Sequence, residues 1–236
     1  MKYTNHIEHY KLDAEYYNFF DYDEFAEQEH IRRYETIFNL HKIKNDEKIL
    51  EIGSGAGHAV KHIKSSSFFP LDVSSFNLKQ IKSKTDKKVF PSSGDVYNLP
   101  FQMDTFDFII LSEVLEHLDN PEAALTEILR VLKKNGAFIV SVPYKEKLSF
   151  QICIHCNKPT PTYAHLQTFD TEKLSGMMES VGFKVLKSHK FLNKIPNRLR
   201  LNIFFKKVPY KIWNFFDGIF NRIIDKPASI MILGSK

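Results

Sequence analysis

The stretch that most constrains the fold is LEIGSGAG, in which three glycines alternate with small residues after a short apolar run. The apolar residues over 49–52 predict a buried strand, and Gly53, Gly55 and Gly57 predict a tight turn at its end. A glycine-rich turn between a strand and a helix lets backbone N–H groups approach a ligand closely. This turn is therefore the first candidate for a ligand site.

Apolar strands and helical patterns alternate along the chain around this turn. A helix is predicted over about 23–40, before the first strand. The later strands are predicted at SFFPLDVS, KKVFP, 106–111, AFIVSVP, FKVLKSHKF and SIMILGSK. Helices are predicted at HAVKHIKSS, SFNLKQIKSK, NPEAALTEILRVLKKNG and TEKLSGMMESVG. This alternation predicts an α/β fold with a mostly parallel sheet covered on both faces, and such sheets bind ligands at the carboxyl ends of their strands.

The residues that follow the third glycine argue against phosphate ligands. A P-loop ends in Gly-Lys-Ser/Thr, whereas His58 and Ala59 follow Gly57 here. A dinucleotide fingerprint needs its last glycine at the position that His58 occupies, which weakens that interpretation without excluding it.

Two acidic residues indicate a different ligand. Glu51 lies just before the turn, where it would repel a pyrophosphate and attract an ammonium or sulfonium group. Asp72 ends the second predicted strand, where a carboxylate can accept both hydroxyls of a ribose. A ligand with a ribose, a positive charge and no phosphate satisfies both signals, and S-adenosylmethionine fits this description.

The glycine turn and the acidic residues at the strand ends belong to a longer series of sequence motifs. In this series, the sequence resembles the class I S-adenosylmethionine-dependent methyltransferases, in particular the broad type 11 group. The resemblance runs from about Lys48 to Tyr144 through ILEIGSGAG, PLDVS, GDVYNLPF, FDFIILSEVLEHL and ILRVLKKNGAFIVSVP. It implies a Rossmann-like sheet of seven strands with helices on both faces and an antiparallel last strand, for which SIMILGSK is suitable.

The resemblance also implies roles for individual residues. The methionine part of the cofactor would lie against Glu51, Gly53, Ser54 and Gly55. Asp72 would bind the ribose and Val73 would pack on the adenine. Asp95 would accept from the adenine amino group, with the amide of Val96 nearby, and Ser112 would lie near the reacting methyl group.

Methyl transfer from a sulfonium needs no protein nucleophile, and a base helps only when the acceptor must lose a proton. Two histidines are candidates for catalysis. His117 lies just past the fourth predicted strand, and its alternative interpretation is a loop histidine at a helix start. His165 precedes a predicted helix, where the resemblance implies a residue that contacts substrate or metal.

Cys153 and Cys156 have the spacing of zinc ligands, and His155 and His165 lie close to them in the sequence. This spacing predicts a zinc site formed by Cys153, Cys156 and His165. Because a strong zinc signature has two such cysteine pairs, free thiols or a redox pair stay open as alternatives.

The C-terminal part of the chain is basic. Residues 181–236 contain twelve Lys or Arg and two Asp, a net charge of +10 in a chain whose total is +5. Pro209 predicts the start of a helix whose apolar residues recur at helical spacing between lysines and an arginine. This pattern is typical of a helix that lies on an anionic membrane, and residues 198–224 would form that surface. The alternative is a helix packed on the protein's own sheet.

We expect a helical cap over 1–45 and a methyltransferase domain over 46–236, with insertions at about 144–168 and 192–227. No run of about 18 apolar residues occurs, and the first residues lack the apolar core of a secretory signal. We therefore expect a cytoplasmic protein that is peripheral at the membrane if the basic helix docks there.

The expected function is transfer of a methyl group to a small molecule or to a lipid- or glycan-linked acceptor. A nucleic-acid methyltransferase is the first alternative, but the chain lacks the Asn/Asp-Pro-Pro-aromatic motif of amino-directed enzymes, so nucleic acid is the less favoured partner. A second alternative is a membrane-docked subunit that binds the cofactor without catalysis.

Overall fold

The computed structural model describes residues 5–17, 20–21, 23–64, 66–85, 88–154, 156–199 and 205–236 of the chain. The α-helices are α1 His6–Tyr16, α2 Glu24–Leu40, α3 Ser75–Ser83, α4 Pro121–Val131, α5 Thr171–Val181, α6 Lys194–Arg198 and α7 Tyr210–Ile223. The strands are β1 Lys48–Ile52, β2 Ser67–Asp72, β3 Ser92–Ser93, β4 Phe106–Ser112, β5 Leu132–Pro143, β6 Phe150–Ile152, β7 Pro159–Pro161, β8 Lys184–Asn193 and β9 Pro227–Ser235. Short 3-10 helices cover His58–His62, Leu115–His117 and Thr162–Ala164.

Seven of these strands form one sheet in the order β3-β2-β1-β4-β5-β9-β8. The pairs from β3 to β5 are parallel, and β9 runs antiparallel to both β5 and β8. The predicted fold class, a mostly parallel sheet with an antiparallel last strand, is confirmed. The remaining strands, β6 and β7, form a separate antiparallel hairpin.

Two apolar cores lie on opposite faces of the sheet, because side chains alternate along each strand. In β4, Ile109 and Leu111 face the core covered by α4 and α5. Phe108 and Ile110 face the core to which α2, α3 and α7 contribute buried side chains. Both faces of the parallel strands are therefore buried, as their continuous apolar sequence predicts.

The start of β5 differs from the sequence prediction. Asn120 caps α4 by accepting from the Ala123 N–H at 3.2 Å, and Pro121 occupies its first turn, as predicted. The helix nevertheless ends at Val131, and the lysines assigned to its last turn belong to β5. The chain leaves the helix there because it pairs with β4. The Thr105 N–H, just before β4, donates to the Val131 carbonyl at 2.8 Å, and Leu132 pairs with Phe106.

The cap helix α2 is joined to the sheet by one buried hydrogen bond. The Tyr34 hydroxyl donates to Glu51 Oε1 at 2.6 Å, and Glu51 is only 1% exposed. Burial raises the pKa of Glu51 to about 8, and the nearby charge of Asp72 adds to this effect, whereas the Tyr34 hydrogen bond opposes it. Since Tyr34 and Ile37 also belong to the core beside β1, α2 is packed as part of the α/β body. The division at residue 45 stays a prediction.

Helix α7 has two different faces. Its inner face is buried at Trp213 and Asp217, and the Asp217 carboxylate accepts from the N–H groups of Leu192 and Asn193 at 3.0 Å each. Its outer face exposes six large apolar side chains to solvent: Ile212, Phe215, Phe216, Ile219, Phe220 and Ile223. In the described part of the chain, no helix is both long and apolar enough to cross a membrane.

Gly57 provides a test of the turn. Its φ is +70°, and an added Cβ would lie 2.7 Å from Cγ1 of Ile81. Gly57→Ala is expected to lower the free energy of unfolding by about 1–3 kcal/mol, because both the left-handed backbone and the packing oppose a Cβ. Urea denaturation followed by circular dichroism measures this change. The matched control is Gly176→Ala, in open space on α5, which should raise the free energy of unfolding by about 0.5–1 kcal/mol. A Gly57→Ala variant as stable as the parent would contradict the turn geometry.

The Glu51 carboxyl predicts a pH dependence. Its folded pKa of about 8 lies above the ordinary value of 4.5, so its contribution to stability is complete at low pH and is lost as the pH rises through about 8. The slope from one such group is at most about 1.4 kcal/mol per pH unit. Glu51→Gln keeps an acceptor for Tyr34 and should flatten this fall in urea denaturation curves at several pH values. Glu127→Gln is the control, since hydrogen bonds from Arg130 lower the pKa of Glu127. Parallel pH curves for Glu51→Gln and the parent would refute the assignment.

Candidate active site

A cavity of about 230 Å³ opens at the carboxyl ends of β1, β2 and β4. This is the position at which open parallel sheets bind their ligands. The sequence-predicted residues that line it are Gly53, Gly55, Asp72, Val73, Asp95, Val96 and His117. The structure therefore brings most of the predicted residues to one cavity.

The glycine turn, which follows β1, forms the floor of the cavity and is hydrogen-bonded to the end of β2. The N–H groups of Gly53 and Ser54 both donate to the Leu71 carbonyl, at 2.9 and 3.1 Å. Gly53 has a φ of +69°, and an added Cβ would lie 2.5 Å from Cγ2 of Val114. Glycine is required at this position because the turn passes directly beneath the segment that follows β4.

Asp72 is held rigidly at the cavity wall. Its Oδ2 accepts from the Gly55 N–H and its Oδ1 from the Ser74 N–H, both at 2.9 Å. Burial raises the pKa of Asp72, and these backbone donors oppose that rise. Each carboxylate oxygen has a second lone pair, so the group can still accept from the hydroxyls of a ligand.

Three predicted cofactor residues have side chains that do not line this cavity. The Glu51 carboxylate lies under α2 against Tyr34. The Ser54 hydroxyl donates to the Glu51 carbonyl at 2.9 Å, so it stabilises the turn. The Ser112 hydroxyl lies 2.9 Å from Ser141 Oγ. Their contact with a cofactor stays a prediction.

Helix α1 supplies a wall that the sequence analysis missed. His6, Tyr10, Asp13 and Ala14 all line the cavity. His6 Nε2 lies 3.1 Å from Asp95 Oδ2, which ties the helix to the loop after β3. A sequence signal was available, because an asparagine at position 5 with a glutamate three residues later is a typical helix start. In the structure Asn5 accepts from the Glu8 N–H at 3.1 Å.

Glu113 is another lining residue with a defined partner. Its φ is +54°, which turns the chain sharply at the end of β4. Arg33 of α2 lies 3.3 Å from Glu113 Oε2, and Ser141 Oγ donates to Oε1 at 3.1 Å. The cap helix is therefore bonded to the cavity wall as well as to the sheet.

The two predicted catalytic histidines lie together beside the cavity. The His117 and His165 rings are 4.7 Å apart between centroids, and His117 is the one that lines the cavity. Burial and the neighbouring His165 lower the pKa of His117 to about 4, so its ring is neutral at neutral pH. His165 Nδ1 is hydrogen-bonded to Glu146 Oε2.

The cysteines occupy a different place. Cys153 and Cys156 form no disulfide and lie in the loop that connects β6 to β7, where the Cys153 N–H donates to the Lys158 carbonyl at 3.0 Å. Within the described ranges, no grouping of three metal-binding side chains contains either cysteine, and His165 is grouped with Glu116 and His117 instead. His155 lies outside the described residues. Zinc binding by Cys153 and Cys156 stays a prediction.

The comparison with known families assigns the chain. A family model described as a methyltransferase domain matches residues 22–188, well over half of the chain. Demethylmenaquinone methyltransferase from Corynebacterium kroppenstedtii is 28% identical over 141 residues, which cover 58% of this chain and 61% of that protein. An uncharacterized protein of Methanocaldococcus jannaschii is 27% identical over 139 residues, 59% of this chain and 65% of that protein. The chain thus spans less than two thirds of the length of these relatives.

Solved structures show the same fold at low identity. The [4+2]-cyclase SpnF superposes with a TM-score of 0.63 at 17% identity, covering 87% of this chain and 80% of that chain. The 1,6-didemethyltoxoflavin-N1-methyltransferase of Burkholderia thailandensis, solved with S-adenosylhomocysteine, superposes with a TM-score of 0.62 at 14% identity, covering 91% and 81%. At such identities the likeness concerns the fold alone, and a shared fold does not fix the chemistry.

The family match, the seven-stranded sheet and the cavity beside the glycine turn agree with one another. The chain belongs to the class I S-adenosylmethionine-dependent methyltransferases.

Proposed function

We propose that this protein transfers the methyl group of S-adenosylmethionine to a small or lipid-linked acceptor. The observation that carries the proposal is the charge of the cavity. Four carboxylates line it, those of Asp13, Asp72, Asp95 and Glu113, and no lysine or arginine of the described chain does so. Glu113 is paired with Arg33, so the other three carboxylates carry the argument. Such a lining attracts a cationic ligand and repels a phosphate.

The reaction needs positioning more than proton chemistry. The acceptor attacks the methyl carbon in line with the breaking carbon–sulfur bond, and the sulfonium becomes a neutral thioether. Charge disperses in this step, so orientation and exclusion of water supply much of the acceleration. Asp72 would hold the ribose, Asp95 would accept from the adenine amino group, and α1 would cover the cofactor.

Two observations favour a lipophilic acceptor. Relatives of this chain include the demethylmenaquinone methyltransferase and a rice 2-methyl-6-phytyl-1,4-hydroquinone methyltransferase, which is 31% identical over 94 residues. The outer face of α7, defined by its six exposed apolar residues, is the second observation. An exposed apolar stripe of this kind is typical of a helix that lies in a membrane interface.

The surroundings of this face favour an anionic membrane. Lys211 and Arg222 are exposed on the same helix, and Lys206 and Lys207 are exposed just before it. Lys206 also lies 3.6 Å from Glu24. The buried inner face, with Trp213 lying 5.1 Å from the Arg32 guanidinium, holds the helix on the protein. The inner face packs on the protein itself, and the outer face is the one that we propose docks on the membrane.

The cofactor site is tested by Asp72→Asn, which removes the charge and leaves a group of the same size. S-adenosylmethionine is expected to bind about 10- to 100-fold more weakly, because a charged acceptor for the ribose hydroxyls is lost. Titration calorimetry measures the affinity, and thermal unfolding confirms that the variant is folded. Asp107→Asn is the control, since Asp107 pairs with Lys133 away from the cavity. An unchanged affinity in Asp72→Asn would refute the assigned role.

Turnover is tested separately by the release of S-adenosylhomocysteine in the presence of lipid extracts. Turnover with a lipid fraction supports the proposal. Cofactor binding with no turnover on any lipid or polar fraction would favour a non-catalytic, cofactor-binding subunit.

Membrane docking is tested with vesicles of phosphatidylcholine and phosphatidylglycerol. Phe215→Ser/Phe216→Ser is expected to weaken co-sedimentation by roughly 10- to 100-fold, because two half-exposed apolar side chains no longer enter the lipid. The matched control is Phe76→Ser/Phe150→Ser, which removes two phenylalanines of similar exposure elsewhere. Equal loss in both variants, or no binding of the parent to anionic vesicles, would exclude docking through α7.

A further inference from the structure

Three potential metal ligands from two parts of the chain meet beside the cavity. Glu116 and His117 belong to the 3-10 helix after β4, and His165 follows the 3-10 helix after β7. One ligand atom from each lies within 4.8 Å of the other two, and the residues that the structure describes contain no other group of this kind.

The Glu116 carboxylate is the unusual member of this cluster. The residue is 1% exposed, and neither of its carboxylate oxygens has a hydrogen-bond partner in the described structure. The Nε2 of His117 lies 3.9 Å from Oε1, which is beyond hydrogen-bond distance. A buried carboxylate without partners is unfavourable unless it binds a proton or a cation compensates its charge. A bound cation would provide the partner that the described residues do not supply.

The backbone places the cluster firmly. The Glu116 carbonyl accepts from the N–H groups of Leu166 and Gln167, at 2.8 and 3.0 Å. These bonds join the segment that follows His165 to the 3-10 helix that carries Glu116. The two segments that carry the potential ligands are therefore held together by backbone hydrogen bonds, which do not depend on the ligand side chains.

The orientation of His165 matches that of a metal ligand. Its Nδ1 is bonded to the Glu146 carboxylate, which fixes the ring and leaves Nε2 for coordination. A carboxylate bonded to the second nitrogen of a histidine is the usual arrangement around metal-binding histidines.

We propose that Glu116, His117 and His165 bind one divalent transition-metal ion, with Glu146 orienting His165. Two imidazoles and one carboxylate form a donor set suited to Zn²⁺, and also to Mn²⁺ or Fe²⁺. Metal–ligand bonds of about 2.0–2.2 Å would draw the three ligand atoms slightly closer together. Because His117 lines the cavity, a metal ion bound there would lie at its wall. The site goes beyond the proposed methyl transfer and does not depend on it.

The experiment uses the full chain, stripped of metal with a chelator and titrated calorimetrically with Zn²⁺ alone. One equivalent is expected to bind and to raise the unfolding temperature. Glu116→Gln and His165→Gln should each weaken binding by at least about tenfold, and Glu146→Gln by roughly 10- to 100-fold. Both ligand variants preserve approximate side-chain size, and cooperative thermal unfolding followed by circular dichroism shows that each is folded.

The matched control is Cys153→Ser/Cys156→Ser, which leaves the cluster intact and should bind Zn²⁺ as the parent does. Loss of binding in this control, with retention in Glu116→Gln, would place the metal at the cysteines and overturn the proposal. Failure of the parent to bind either Zn²⁺ or Mn²⁺ would overturn it as well. Neither outcome affects the proposed methyl transfer, because the titration contains no cofactor or acceptor.

Discussion

The structure depends on the close approach of three strand ends at the glycine turn. Two successive N–H groups of the turn donate to one carbonyl of β2, at Leu71. A third, from Gly55, donates to the Asp72 carboxylate. Because Gly53 lies against Val114, the segment after β4 is held at the same point. The backbone bonds that close the turn thus also aim the carboxylate into the cavity.

The N-terminal helices complete the site from outside the sheet. Helix α2 is bonded to β1 through Tyr34 and to the cavity wall through Arg33, so the cap and the sheet share buried polar contacts. Helix α1 contributes acidic and aromatic side chains to the cavity. Elements that precede the glycine turn in the chain therefore form part of the cavity wall.

At two further places, the structure exposes apolar side chains to water or buries a carboxylate. On α7, polar bonds to Asp217 fix one face of the helix, while the opposite face leaves six large apolar side chains in solvent. Beside the cavity, the Glu116 carboxylate is buried without a hydrogen bond. Each arrangement is unfavourable for an isolated chain in water, and each becomes favourable with the appropriate partner.

The sequence by itself determined the fold class and the floor of the site. Apolar runs broken by glycine and acidic residues at strand ends are local signals, so the parallel strands, the turn and Asp72 followed from them. The end of α4 was predicted too late, because the pairing of Leu132 with Phe106 in a neighbouring strand decided it. Only the tertiary structure brought α1 to the cavity, turned Glu51 under α2 and grouped His165 with Glu116 rather than with the cysteines. These contacts join residues far apart in the chain, and the direction in which their side chains point depends on packing, which no local pattern encodes.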